Sequence, residues 1–524
     1  MTQVHCLVYD DAPWLSSTLK DVQFLHKDID NDVAEALGLR SVRKLLISGE
    51  LHMRDLACPS PEWVRQQLRY SPDRRQLPAH IVDFADSLGA RHVHILFDFR
   101  THHAQSVLQP NLACLQGPAV VLHVEGLKMS AELLCRLQNL PLHKQGLQRP
   151  ARVGAGLNSM YMATDVPCII SGEGFFFFDP KGTHFVDADQ KQARPVGKAH
   201  IFVNSDMPKK FADQFEPFKV FGFDPDRQFN GTLIRLPIKV SSDGPDDDAS
   251  QAFEDAQEEE DTCSAGSDDG ADARRPEAKS VLHQKMSDKE QEGRRRIHAA
   301  RGAKSVFDEK MSEKDLEDIL ACCPKLIGPE CLLFLENVES VEVSSWREGD
   351  LDMQLLFKTC LQSPVSPALR QSRTAMTNNK EWQKFNLMSV FGSAPAIRLQ
   401  YQLAITTYYP AQDRKDVDRW LVASTLGTKS ARKMAIEHKH QGWVPLASVA
   451  AHLSGTAGVA PDVDGHVFAF AKVSRTGLPV HINAWFDVKN CLVGCSPDGD
   501  KLQRPAAAEE QASHPCKQLN SELN

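Results

Sequence analysis

The sequence predicts an α+β fold. Apolar residues recur at helical spacing in residues 81–88 and alternate at strand spacing in residues 93–97. Helical and strand segments interchange along the 524 residues without a strict β-α-β rhythm. This arrangement favours an α+β class over a doubly wound parallel sheet, and the length allows two or more domains.

Two short helices are predicted between residues 30 and 47. Asp30 or Asn31 can cap the first helix, and Gly38 stands where a C′ glycine belongs. The inward stripe of the first helix is predicted to be Val33, Ala36 and Leu37. Ser41 can cap the second helix, whose predicted inward residues are Val42, Leu45 and Leu46.

Further strands and one strong helix start are predicted downstream. The segments GPAVVLHVEG, GFFFFD, AHIFVN and NGTLIRLPIKV read as strands before residue 240, and IRLQYQLAITTYY, GHVFAFAKV and LPVHINAWFDV read as strands near the carboxyl end. Ser312 followed by Asp315 predicts the amino end of a helix with inward residues Leu316, Ile319 and Leu320.

One acidic segment carries most of the net charge of −9. Residues 241–280 contain 14 acidic and 3 basic residues, and the rest of the chain is close to neutral. The segment has too few apolar residues to offset the entropy of ordering, so residues 241–303 are predicted to be a disordered linker, acidic and then basic. The remainder has no basic excess, which excludes a nucleic-acid-binding class.

The cysteines and the hydropathy place the chain in a reducing compartment. The thirteen cysteines have no regular spacing and no paired C-x-x-C hooks, so neither a disulfide framework nor a zinc site is predicted, and no metal is assigned. No apolar run reaches the ~20 residues of a membrane span, and the amino end lacks a secretory signal. We therefore expect a cytoplasmic protein with no membrane partner.

Gly154 and Gly156 precede a short apolar helix candidate, Leu157–Tyr161. Glycines let the backbone approach a phosphate closely, and a helix start offers free N–H groups. The same pattern also describes a tight turn without any ligand. The residues alone leave both interpretations open.

Several segments, in the same order along the chain, resemble the sacsin-type repeat region with its heat-shock-90-like (GHKL) ATPase module. They are YDDAPWL, LGARHVHILFDFRTH, CLQGPAVVLHVEG, VGAGLNSMYMATDVPCIISGEGFFFFDP, GTLIRLPI, CLLFLENVESVEV and GLPVHINAWF. The resemblance implies a GHKL sandwich of helices on a mixed sheet, followed by a second α/β domain. The opening residues start within a motif, which favours a product of a larger repeat protein.

The resemblance also implies a division of the chain. Residues 1–75 would be the end of a preceding repeat, residues 76–240 the GHKL-like domain and residues 241–303 the linker. Residues 304–502 would be the second half of the repeat, and residues 503–524 a disordered tail.

The catalytic positions implied by the family depart from its pattern. The general-base Glu of the family falls on His80, the Mg²⁺-holding Asn on Phe84 and the second Asp on Ser87, while Asp86 stays acidic. A phenyl ring offers no oxygen to a hard cation, so Mg²⁺ and hydrolysis are not expected and no catalytic residue is assigned. The alternative is an active ATPase of the same fold that uses His80 as its base.

The nucleotide-binding positions are less altered, and the resemblance assigns them to Glu125, Gly126, Gly154, Gly156 and Thr232. Binding of ATP without Mg²⁺ therefore stays open, beside the simpler interpretation that Glu125 is a surface acid and Thr232 a strand residue. The family implies a chaperone-related role in protein quality control. Its expected partners are protein clients and heat-shock-70-type chaperones, with the ATPase module acting as a binding scaffold.

Overall fold

The computed structural model describes residues 7–16, 19, 22–49, 53–68, 73–139, 156–185, 193–239, 305–377, 397–426, 432–433, 436–437, 445–455, 465–468 and 472–484. The predicted linker over residues 241–303, the predicted tail over residues 503–524 and Gly154 lie outside these ranges.

Ten α-helices are described. They are α1 (Pro13–Ser16), α2 (Asn31–Ala36), α3 (Val42–Gly49), α4 (Pro61–Leu68), α5 (Leu77–Ser87), α6 (Ala131–Asn139), α7 (Met207–Lys210), α8 (Ala212–Phe215), α9 (Glu313–Leu326) and α10 (Pro367–Thr377). Short 3-10 helices occupy Arg74–Gln76, Pro110–Gln116, Gly156–Met162, Glu216–Phe218, Pro329–Leu333 and Pro410–Gln412. None of the helices in the described part of the chain is long and apolar enough to cross a membrane.

Eighteen strands are described. They are β1 (Leu7–Tyr9), β2 (Gln23–Phe24), β3 (Arg40–Ser41), β4 (Arg54–Leu56), β5 (His92–Asp98), β6 (Ala119–Glu125), β7 (Cys168–Ser171), β8 (Gly174–Asp179), β9 (Val196–Ile201), β10 (Gly231–Pro237), β11 (Ser340–Trp346), β12 (Gln354–Leu361), β13 (Ile397–Tyr409), β14 (Arg414–Leu426), β15 (Leu446–Ser454), β16 (His466–Phe468), β17 (Lys472–Arg475) and β18 (Val480–Ala484).

Fifteen of these strands form one mixed sheet in the order β17-β16-β18-β15-β14-β13-β12-β11-β5-β6-β10-β7-β8-β9-β4. β5 pairs in parallel with β11 and antiparallel with β6, so the sheet passes without a break from strands before residue 240 to strands after residue 305. β1, β2 and β3 form a separate small parallel sheet. The predicted α+β class with a mixed sheet is confirmed.

The two faces of the large sheet bury different cores. On β6, Val120, Leu122 and Val124 face one core with α5, which we call the helix face of the sheet. The alternate residue Val121 faces a second core, rich in phenylalanine, which we call the opposite face. Successive strand residues point to opposite sides, so these two sets fix the direction of every side chain on β6.

The predicted helix starts at Asp30 and at Ser312 are confirmed. Asp30 caps α2 by accepting a hydrogen bond from the Asp32 N–H, at 2.8 Å. Ser312 and Asp315 form the reciprocal capping box of α9. Leu316 and Ile319 are buried beneath α9 as predicted, and Leu320 is half-buried.

The predicted inward stripe of α2 is wrong. Val33, Ala36 and Leu37 are all exposed, and Ala34 is the buried residue of the helix. The six-residue helix is held by its Asp30 cap and by the Leu39 N–H, which donates to the Ala34 carbonyl oxygen. Its short length lets only one side touch the rest of the chain, and that side carries the alanine.

The two ends of the segment over residues 240–304 meet in the structure. The Met311 N–H donates to the carbonyl oxygen of Lys239 at 2.9 Å. The Lys239 ammonium donates to the carbonyl oxygens of Tyr161 and Phe307 and lies 3.5 Å from the Asp165 carboxylate. The segment is therefore an insertion that leaves and rejoins the fold at one point.

Replacing residues 242–303 by a flexible linker of about eight residues should preserve the fold. Loop-closure entropy changes by only ~0.6 kcal/mol for each halving of loop length, so the shortened chain should gain at most about 2 kcal/mol of stability. Urea denaturation followed by circular dichroism measures this. A shortened chain that fails to fold, while the full chain folds under the same conditions, would show that the inserted residues are part of the packed structure.

Lys239 should give the protein a pH-dependent stability in the alkaline range. Burial lowers the pKa of Lys239 from 10.5 to about 8. Between these values the unfolded chain binds the proton and the folded chain does not, so stability rises with pH, by about 3 kcal/mol in total. The difference in unfolding free energy between the wild type and Lys239→Met, measured from pH 7 to pH 10.5, should follow that rise. The exposed control Lys314→Met should give a flat difference, and a flat difference for Lys239→Met would contradict the burial argument.

Candidate functional site

The helix that carries the positions assigned to catalysis by the resemblance is buried on almost every side. α5 follows the 3-10 helix Arg74–Gln76, which Asp73 caps, and has Pro78 in its first turn. It packs against the 3-10 helix Gly156–Met162, against α9 and against β5. A helix surrounded in this way needs apolar residues around its whole circumference, which explains its composition.

His80 lies inside this packing and is only 3% exposed. Burial lowers the pKa of the His80 imidazole to about 4, so the ring is neutral at physiological pH. A general base that activates water must reach a water molecule in a substrate complex. In the structure His80 is instead enclosed by the buried core around α5.

Phe84 belongs to the same core as Leu157, Met160 and Tyr161 of the 3-10 helix Gly156–Met162. Its ring is 6% exposed. The position that the resemblance assigns to the metal-holding amide is thus filled by ring carbons packed against other apolar side chains. Mg²⁺ requires oxygen ligands and retains several waters, neither of which a dry apolar contact provides.

Asp86, the acid that this chain keeps, binds protein backbone. Its carboxylate accepts hydrogen bonds from the N–H groups of Glu336, Asn337 and Val338, at 3.1, 2.6 and 2.8 Å. The Asn337 side-chain amide also donates to the Asp86 carbonyl oxygen, at 2.9 Å. Asp86 is fully buried, so this carboxylate fixes α5 to the segment that leads into β11.

Sequence reasoning missed this role of Asp86, although a signal was present. Asp86 stands four residues after Val82, which is buried on α5, and therefore on an inward face of the helix. An acid at an inward position needs hydrogen-bond donors. Ser87, the last of the degenerate positions, only donates back to the Phe84 carbonyl oxygen at 2.6 Å.

Gly156 begins a 3-10 helix with a left-handed backbone, at φ +55°. The residues that follow are tied to α6: the Tyr161 hydroxyl donates to the Gln138 side-chain oxygen, and the Asn158 amide donates to the Gln138 carbonyl oxygen. The backbone conformation explains the glycine at position 156.

Thr232 is fully buried in β10. Its hydroxyl donates to the Leu127 carbonyl oxygen at 2.7 Å and lies 2.7 Å from the Ser171 hydroxyl oxygen. Ser171 in turn accepts a hydrogen bond from the Met129 N–H. This network fixes the connection between β6 and α6.

Glu125 and Thr232 lie on different faces of the sheet. Thr232 pairs with Val124, which points to the helix face. Glu125 is the next residue on β6, so it points to the opposite face, where it is exposed beside His123. Gly126 follows with φ +71° and donates its N–H to the Asn230 carbonyl oxygen.

The structure therefore brings His80, Phe84 and Thr232 to the helix face and places Glu125 on the opposite face. Within the described residues, no group of three or more His, Cys, Asp or Glu side chains could hold a metal ion. The helix face offers a packed core beside α5, in which Asp86 and Thr232 are hydrogen-bonded to backbone groups.

Residues 64–265 match the family model described as the Sacsin domain, so the chain contains a sacsin-type region. This region includes α5 and every candidate nucleotide-binding residue. Over 456 residues the chain is 23% identical to Sacsin from Homo sapiens. The aligned part is 82% of this chain, and the chain spans only 8% of the length of that relative.

Proposed function

We propose that this chain is a chaperone-related binding protein of the sacsin type that acts in the cytoplasm. In this proposal its heat-shock-90-like (GHKL) module is a scaffold that does not hydrolyse ATP. The observation that carries the proposal is Phe84, whose ring packs in the core where the family pattern has a metal-holding amide.

The surroundings of Phe84 support a silent site. His80 is neutral and buried, and the Asp86 carboxylate already accepts three backbone N–H groups. Stabilising the charge that develops on a transferring phosphate is the largest task of a phosphoryl-transfer site. None of the three side chains can perform it while the core of the helix face stays packed.

Thermal unfolding with ATP or ADP, each with and without Mg²⁺, tests the catalytic part of the proposal. A ligand present at 100 times its dissociation constant stabilises a protein by about 2.7 kcal/mol. We expect no Mg²⁺-dependent rise of the melting temperature and no phosphate release. A Mg²⁺-dependent rise together with phosphate release that His80→Ala abolishes would establish the alternative, an active ATPase of the same fold.

Suppression of aggregation tests the scaffold part. A thermally unfolding model client is followed by light scattering with the chain alone and with a heat-shock-70 partner. We expect suppression in at least one of the two conditions, independent of added ATP for the chain alone. Scattering equal to that with serum albumin at the same concentration, in both conditions, would overturn the binding role.

A further inference from the structure

A concave site lies on the opposite face of the sheet, away from α5. Its volume is about 400 Å³, and it is formed by the end of β6 and the loop that precedes β10. Its lining contains two carboxylates, two phenyl rings, one imidazole and one guanidinium: Glu125, Asp224, Phe221, Phe229, His123 and Arg227. The size is in the range of small-molecule and side-chain pockets.

Phe221 forms a wall of the pocket through an unusual backbone. It has φ +53°, and Gly222 follows with φ +71°. This geometry places the Phe221 ring parallel to His123, with ring centres 4.7 Å apart, and edge-on to His94 at 4.6 Å. Phe229 contacts His123 from another side, with ring centres 5.6 Å apart. The rings and the imidazole make one continuous aromatic wall.

The charges in the pocket favour a cation. Within the described residues, Glu125 takes part in no ion pair. Asp224 is paired with Arg227 at 3.4 Å; the Arg227 side chain is 83% exposed and the Asp224 side chain 45%. Exposed pairs of this kind are weak and exchange readily. Burial lowers the pKa of His123 to about 4, so its ring is neutral and does not repel a positive ligand.

We propose that this pocket binds a basic side chain of a partner polypeptide, with Glu125 as its principal anion. The methylene stem of an arginine or lysine packs on the aromatic wall, and its charged head reaches Glu125. The same head competes with Arg227 for the Asp224 carboxylate. The proposal rests on the binding function above and names the chemistry of one class of partner.

The test titrates the full chain with N-acetyl-arginine amide and with N-acetyl-citrulline amide, its neutral isostere, by calorimetry. We expect the arginine derivative to bind about five times more tightly, the range of a partly exposed ion pair. Glu125→Gln should reduce its affinity to that of the citrulline derivative. Arg227→Gln removes the resident cation and should increase the affinity, which a merely structural role would not do.

The matched control is Asp226→Asn, because Asp226 is exposed on the same loop but does not line the pocket. It should leave both affinities unchanged. Equal binding of the two derivatives, binding of neither, or equal effects of Glu125→Gln and Asp226→Asn would overturn the proposal. The titration uses no client and no chaperone partner, so its failure is distinct from failure in the aggregation assay.

Discussion

Phe84→Asn, which restores the metal-holding residue of the family pattern, is expected to lower the free energy of unfolding by about 3–5 kcal/mol without producing ATP hydrolysis. The change removes a buried ring and introduces an amide into apolar surroundings, and both effects destabilise the fold. The neighbours of Phe84 on the 3-10 helix Gly156–Met162 are large and buried, so they cannot close the cavity without moving backbone.

Urea denaturation at pH 7.5, with phosphate release measured in parallel, checks this expectation. The matched control is Phe24→Asn on β2, where the ring is 41% exposed, and it should lose less than about 1 kcal/mol. A Phe84→Asn variant with wild-type stability and Mg²⁺-dependent nucleotide binding would show that the site behind α5 opens, and the scaffold proposal would fail.

Asp86→Asn is expected to lower the free energy of unfolding by about 2–4 kcal/mol. Oδ1 accepts the N–H groups of Asn337 and Val338, and Oδ2 accepts that of Glu336, so a side chain with one oxygen leaves at least one of these donors facing the new NH₂ group. Buried donors left without an acceptor each destabilise by about 1–3 kcal/mol. The loss of stability should be greatest where α5 contacts the segment before β11.

Thermal unfolding and amide hydrogen exchange at Asn337 and Val338 measure this effect. The exposed helix residue Asp318 gives the matched control, Asp318→Asn, which should behave as the wild type. Equal melting temperatures for the two variants would mean that the clamp seen in the structure contributes nothing to stability.

Local patterns in the sequence were sufficient to predict the helices and the strand around the site. The apolar spacing of residues 81–88 and 93–97 predicted α5 and β5, and the Ser312 and Asp315 pair predicted the start of α9. The predicted buried face of α2 was wrong because periodicity shows only which residues share a face. Tertiary contacts decide whether that face is covered.

Which candidate residues share a face of the sheet can be determined only from the register of the paired strands. The alternation of β6 puts Val124 and Glu125 on different sides, but only its pairing with β10 shows which side Thr232 shares. The partners of Asp86 lie some 250 residues further along the chain, with the insertion between them. No local pattern reports a contact over that separation.

The joined ends of the insertion have a mechanical consequence. The Lys239 ammonium is bonded to the carbonyl oxygens of Phe307 and Tyr161, so a pull on the inserted segment acts first on the contacts at this joint. The pairing of β5 with β11 does not run through the inserted segment, so this pairing joins the two parts of the sheet independently of it. A partner that binds the inserted segment can therefore pull on it while β5 and β11 stay paired.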